Sequence, residues 1–225
     1  MRKISKLVYK LFSSSESLSE YCRSYKVISF DIFDTLIVRQ CGNPLNIFNI
    51  VQDLYFEETG IIISDFYQYR IEAERMVRSV KGKEEITIDD IYRSLVRNYD
   101  LKTCEKLKNL EISVEVEQCI AVPEVVDIYN LCIEDESKNV FVISDMYLPM
   151  YSIKQILNKN GIKQPCKIYL SCKEQVTKRK GGLFKLLMKE NHLEAKDILH
   201  IGDNFRSDFL MANLLGMHAF LIEKQ

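Results

Sequence analysis

Two carboxylates three residues apart, Asp31 and Asp34, close a short apolar and β-branched run, Val27-Ile28-Ser29-Phe30. Such a run forms a buried parallel strand, and in open α/β sheets ligands bind beyond the carboxyl ends of the strands. A carboxylate at that edge is partly desolvated and can serve as a nucleophile or a metal ligand. The same two residues can also do no more than cap the next turn. Two further apolar runs end in polar groups. Val140-Phe141-Val142-Ile143 stops at Ser144-Asp145, and Ile198-Leu199-His200-Ile201 stops at Gly202-Asp203-Asn204, with Asp208 following. The basic run Lys178-Arg179-Lys180 precedes a helix between them. Two carboxylates with a backbone carbonyl suit Mg²⁺, a hard cation that takes oxygen ligands. A lysine and a hydroxyl nearby suit the spread charge of a transferring phosphoryl group. Singly, Ser144 or Lys178 reads as a loop residue or a solvated charge. Together and in this order they read as a site.

These groups converge only if the runs that carry them lie parallel in one sheet. Helical patterns separate the runs, with Pro123, Val126 and Tyr129 in one helix and Ile153, Ile156 and Leu157 in another that ends at Gly161. Leu183, Phe184, Leu187 and Met188 lie in a third, and Asp208 to Leu215 form the last. Lys167 to Ser171 and a segment near His218 to Ile222 add two strands. Strands alternating with helices imply right-handed crossovers and a parallel sheet. Between residues 40 and 120 the pattern is helical throughout and requires no strand. Leu45, Phe48, Val51, Leu54 and Tyr55 form one stripe, stopped by Gly60. Phe66, Arg70, Ala73, Val77 and Val80 form a second. Thr87 with Asp90 makes a capping box for a third helix, and Leu107, Leu110 and Val114 mark a fourth. The expected fold is α/β: a Rossmann-like parallel sheet of about five strands with an inserted helical domain. Residues 26–39 and 121–225 make the sheet domain, and 40–120 the insertion.

Residues 1–25 stand apart. Ile4, Leu7, Val8, Leu11 and Phe12 share one helical face, with Arg2, Lys3, Lys6 and Lys10 around it. Such a basic amphipathic helix can lie on an anionic membrane surface, dock on a protein partner or pack on its own core. The serine-rich run from Ser13 to Ser17 reads as a linker.

A formal net charge of -1 gives no electrostatic footprint for nucleic acid. Seven cysteines form no CxxC pair and are odd in number, which favours free thiols in a reducing compartment over a disulfide framework. His192, His200 and His218 show no zinc-ligand spacing. No apolar run is long enough to span a bilayer and no secretory leader is apparent, so the expected location is cytoplasmic.

The order of motifs resembles the haloacid dehalogenase (HAD) superfamily over about residues 26–225. Phe30-Asp31-Ile32-Phe33-Asp34-Thr35-Leu36 is similar to its first motif, in the form carried by one subgroup. Val142-Ile143-Ser144-Asp145 is similar to the second, the lysine at 178 to the third, and Ile201-Gly202-Asp203 through Asp208 to the fourth. The helical block sits where that family's C1 cap domain sits. The resemblance implies a Mg²⁺-dependent phosphohydrolase acting on a small phosphorylated metabolite, such as a sugar or polyol phosphate. It makes Asp31 the nucleophile that forms an aspartyl-phosphate, and Asp31, Asp203 and the main-chain carbonyl of Phe33 the metal ligands. Ser144 would bond a phosphoryl oxygen, and Lys178, oriented by Asp208, would neutralise charge at the nucleophile; Lys180 is the second candidate for that lysine. Thr35 and Asn204 would lie close by. Arg70, Arg75 and Arg78 of the cap and Arg39 at its hinge are candidate substrate anchors, and each is also an ordinary helix charge. One departure stands out: where most of the family's phosphatases have a general acid–base Asp there is Phe33, and Asp34 occupies the place of a Gly. Such help is worth about 10²–10⁴-fold in rate. Dehalogenase- or phosphonatase-type cleavage, and a catalytically weak protein binding a phosphorylated ligand or partner, are the alternatives.

Overall fold

The computed structural model describes residues 15–81 and 85–223, so the amphipathic helix expected at residues 1–12 lies outside the described residues. Two compact units are present. Of the described residues, the first contains those up to Val38, Ala121–Met146 and those from Leu157 onward; the second contains those of Arg39–Ile120 and Tyr147–Ile156.

The first unit is built on five parallel strands: β1 (Val27–Phe30), β4 (Asn139–Ser144), β5 (Lys167–Leu170), β6 (Ile198–Gly202) and β7 (His218–Leu221). Their order is β5-β4-β1-β6-β7. The chain builds outward from β1 through β4 to β5, then crosses back and builds the other way through β6 to β7. The direction therefore reverses between β1 and β6, the switch point at which α/β sheets hold ligands. Both central strands are buried along their length, as strands covered on both faces must be. On one face Val27, Phe141, Tyr169 and Ile198 pack with Leu183, Phe184 and Leu187 of α9 (Gly182–Asn191). On the other face Phe30 meets the Tyr129 ring of α6 (Pro123–Glu134) edge-on at 5.1 Å.

The second unit is helical: α2 (Asn46–Thr59), α3 (Phe66–Lys81), α4 (Ile88–Leu95) and α5 (Leu101–Gln118). The stripes bury Phe48, Val51, Tyr55, Phe66, Ala73, Ile91, Leu95 and Leu107. Gly60 ends α2 in the left-handed conformation at φ 69°. Thr87 and Asp90 form the expected capping box, each side chain accepting the other's backbone N–H.

The structure corrects five local expectations. The helical block is bounded by a two-stranded ribbon, β2 (Ile37–Arg39) against β3 (Cys119–Ala121). The chain leaves and returns side by side there, and its backbone groups must be satisfied, so Gln118 O accepts from Gln40 N and Leu36 O from Val122 N. Tyr147–Ile156 belongs with the helices, because Tyr147 O accepts from Ile88 N at 3.0 Å. From Ser15 the expected linker is helix: α1 spans Ser15–Ser24 and buries Leu18 and Cys22 one turn apart. The last helix is split into a wide π turn at Phe205–Leu210 and α10 (Met211–Leu214). Leu45, Val80 and Leu131 complete apolar stripes in the sequence but are exposed. All seven cysteines are free thiols, and no helix among the described residues is long and apolar enough to cross a membrane.

Candidate active site

The polar groups that close the strands meet at the carboxyl edge of β1 and β6. Asp31 continues the ladder past β1, its N–H donating to Ile201 O at 2.8 Å, and its side chain is buried. Lys178 stands in the loop before α9 with its ammonium between two carboxylates, 2.6 Å from Asp31 Oδ1 and 2.7 Å from Asp208 Oδ1. Lys178 is 2% exposed and Asp208 1%. Burial works against the charge of Lys178, but Asp208 and then Asp31 hold it above the usual lysine range. Burial likewise opposes the charge of Asp208, yet Lys178 and His200 hold its carboxyl well below the usual value. Asp31 goes the other way: burial pushes it up to about 8, with Lys178 pulling down and Asp208 pushing up.

Asp208 reaches this place because Gly202 has no side chain. A Cβ there would stand 2.5 Å from Asp208 Cγ, well inside contact distance. The second Asp208 oxygen accepts from Asn204 N at 2.9 Å. Asn204 itself is exposed, and its side chain caps the π turn by accepting from Arg206 N and Ser207 N.

Carboxylate oxygens of Asp31, Asp203 and Asp208 lie within 4.8 Å of one another, and the three could hold a metal ion. Both oxygens of Asp208 already accept hydrogen bonds. A divalent cation at these carboxyl groups would favour the ionised form of Asp31, and oxygen donors suit a hard one. Thr35 is wholly buried and its hydroxyl oxygen has no hydrogen-bond partner, an orphan of the kind that a ligand or water satisfies.

The fold is similar to that of several solved structures. A 2-haloacid dehalogenase from Pseudomonas syringae pv. Tomato DC3000 superposes with a TM-score of 0.63 at 15% identity, covering 87% of this chain and 85% of that one. A HAD family enzyme from Bacteroides thetaiotaomicron, in complex with magnesium and inorganic phosphate, gives 0.59 at 15% identity, covering 89% and 95%. The L-2-haloacid dehalogenase of Xanthobacter autotrophicus, with chloropropionic acid covalently bound, gives 0.55 at 12% identity, covering 87% and 76%. This is the HAD fold. No family model matches the sequence, and no curated protein sequence matches it.

On this HAD fold Asp31, Ser144, Lys178, Asp203 and Asp208 all belong to the sheet unit, and Asp31, Lys178 and Asp208 are in direct contact. Ser144 is buried at the end of β4. Of the two candidate lysines, Lys178 makes the contacts and Lys180 is exposed, its N–H held by Thr177 Oγ1. Asp34 and Phe33 are half-buried, with Asp34 at φ 56°. Arg70, Arg39 and Arg78 do not fit the role of free anchors. Arg70 is wholly buried, bonded twice to Glu111 and once to Glu74, with its guanidinium 4.5 Å from the centre of the Phe48 ring. Arg39 is paired through two nitrogens with Glu115, and Arg78 with Glu74, while Arg75 is exposed.

Three contributing residues escaped the sequence reading. Asp145 accepts from the backbone N–H of Lys178, and His200 and Ser29 stand behind Asp208. The signal for the last two was a histidine and a serine inside otherwise apolar buried strands.

Proposed function

We propose that this protein is a Mg²⁺-dependent phosphohydrolase that acts on a small phosphorylated metabolite, such as a sugar or polyol phosphate, through an aspartyl-phosphate. The observation that carries the reading is the buried Asp31–Lys178–Asp208 chain beside Asp203. An Asp31 oxygen attacks phosphorus and the ester P–O bond breaks, releasing the alkoxide, which must gain a proton. Water then attacks the phosphorus of the aspartyl-phosphate, and inorganic phosphate leaves as the carboxylate is restored. Lys178 sets a fixed positive charge against Asp31, where negative charge builds on the transferred group, and the buried site strengthens that attraction. Ser144 and Thr35 would donate to phosphoryl oxygens. Mg²⁺ held by Asp31, Asp203 and the Phe33 carbonyl would supply neutralisation of phosphoryl charge when bound.

A second reading is supported by one observation. Phe33 cannot protonate a leaving group, and a halide leaves without a proton, so displacement of halide from a 2-haloacid by Asp31 suits this site as well. A panel of phosphate esters and 2-haloacids, with and without EDTA, separates the two. The phosphohydrolase reading expects phosphate release that EDTA stops and that Asp31→Asn abolishes with the fold intact, because an amide cannot form the acyl-phosphate. Halide release that persists in EDTA, with no phosphate from any ester, would overturn it.

A further inference from the structure

We propose that His200 is a positioning residue for Asp31: with Ser29 behind it, His200 fixes the Asp208 carboxylate, and Asp208 fixes the Lys178 ammonium against Asp31. The inference rests on the reading of Asp31 as the attacking group.

His200 lies mid-way along β6, directly opposite Ser29 of β1 in the parallel register, and both are fully buried. Its Nδ1 is 2.8 Å from Ser29 Oγ and its Nε2 is 3.3 Å from Asp208 Oδ1. The ring edge also meets Phe184 at 4.8 Å. Filling space against Phe184 needs no nitrogen, and an apolar ring there would avoid the cost of burying polar atoms. Instead the neighbouring strand supplies a hydroxyl for one nitrogen and the π turn a carboxylate for the other.

The polarity of the chain follows from its ends. Lys178 only donates and ionised Asp208 only accepts, so Nε2 carries the hydrogen towards Asp208. Nδ1 is then bare and accepts the Ser29 hydroxyl hydrogen. The circuit runs Ser29, His200, Asp208, Lys178, Asp31, and it returns to the segment where it began, because Asp31 continues the ladder past β1 two residues after Ser29. Asp208 Oδ1 thus takes two donors, from His200 and Lys178, while Oδ2 takes Asn204 N. Without the imidazole, one donor holds each oxygen and the carboxylate can turn about its last torsion, carrying the ammonium away from Asp31.

The test combines spectra with kinetics. With ¹⁵N-histidine label, His200→Phe identifies the His200 ring among the three histidines. The expected native signal is a neutral ring protonated at Nε2, whose Nδ1 resonance moves in Ser29→Ala. The ammonium signal of Lys178 under ¹⁵N-lysine label should shift or broaden in His200→Phe. In turnover, His200→Phe should lower kcat about tenfold or more with KM changed less than about twofold, and His200→Gln, which can donate to Asp208, should recover part of the loss. If His200→Phe fails to fold, Ser29→Ala carries the same spectral and kinetic comparison at smaller amplitude. A ring protonated at Nδ1, an unmoved Lys178 signal, or a kcat within about twofold of wild type overturns the proposal. Should the wild type release no phosphate from any ester, the phosphohydrolase reading fails on its own. The histidine and lysine signals then decide the circuit by themselves.

Discussion

The carboxylate of Asp145 accepts the backbone N–H of Lys178 at 2.7 Å and that of Arg179 at 3.2 Å. The loop that ends β4 therefore grips the main chain of the residue whose ammonium lies between Asp31 and Asp208. Lys178 is fixed at both ends, its backbone by the loop after β4 and its side chain by Asp31 beyond β1 and Asp208 in the π turn.

Asp145→Ala should loosen the first of these restraints. Two donors lose a charged acceptor, and each such bond is worth about 1.5–3 kcal/mol where it is shielded from water; Asp145 is exposed, so the cost falls below that range. Amide exchange at Lys178 and Arg179 should speed up while exchange along β1 and β6 stays slow. Unchanged protection at both amides would show that the turn holds itself.

Arg70 should prove a matter of stability. Its guanidinium is spent on Glu111 and Glu74, and Glu111 also accepts from the Tyr92 hydroxyl at 2.8 Å. Arg70→Met leaves a buried carboxylate uncompensated, which typically costs about 3–5 kcal/mol. Adding Glu111→Leu should return much of that, because the pair leaves together. A higher KM with unchanged unfolding midpoint in Arg70→Met would restore Arg70 as a substrate anchor.

Much of this was legible in the chain, and the parts that were not share a cause. Strand ends, the capping box at Thr87 and the left-handed stop at Gly60 are local signals, and each lies where the spacing of residues puts it. Asp31, Lys178 and Asp208 were legible as a set because parallel strands bring their ends to one edge. The Arg70–Glu111 pairing joins residues far apart in sequence, and an arginine on a helix stripe reads the same whether it faces water or a buried glutamate. Tyr147–Ile156 joins the helical unit through contacts no periodicity encodes. Zinc-ligand spacing carries no information on His200, whose partners come from another strand and a turn.

The pH dependence of stability should reveal the metal-free state of Asp31. Burial raises its carboxyl from 3.8 to about 8, so between those values the folded protein binds more proton than the unfolded chain and stability falls as pH rises. Asp208 is depressed, so its contribution is complete above 3.8 and constant here. Lys178 is raised, so its contribution is intact until pH passes 10.5. Burial lowers His200, which adds stability as pH rises through 6.5 and opposes Asp31 below that point. Asparagine cannot titrate, so subtracting the Tm profile of Asp31→Asn in EDTA isolates the carboxyl. The difference should fall as pH rises from 3.8 to about 8 and flatten in saturating Mg²⁺, which favours the ionised form. A flat difference in EDTA would mean that Lys178 keeps Asp31 ionised throughout.

The last prediction concerns Phe33 and Asp34. Phe33 forms a bridge with Ile37, and Asp34 follows it in the left-handed region at φ 56°, a conformation that aspartate tolerates better than most side chains. Asparagine tolerates it equally, so Asp34→Asn should fold and isolate the carboxylate's chemistry. A phenyl ring cannot protonate a leaving alkoxide or deprotonate the water that hydrolyses aspartyl-phosphate, and missing acid–base help costs about 10²–10⁴-fold. Weak activity towards generic phosphate esters is therefore expected, and Phe33→Asp should raise it where the carboxylate fits. Whether Asp34 acts as a surrogate acid is decided by the leaving group. An activated aryl phosphate leaves without a proton and an alkyl phosphate does not. If Asp34 supplies that proton, Asp34→Asn should cripple alkyl ester turnover far more than aryl ester turnover. Equal loss on both esters, or none on either, would remove Asp34 from the proton path and leave a site that attacks phosphorus without an acid of its own.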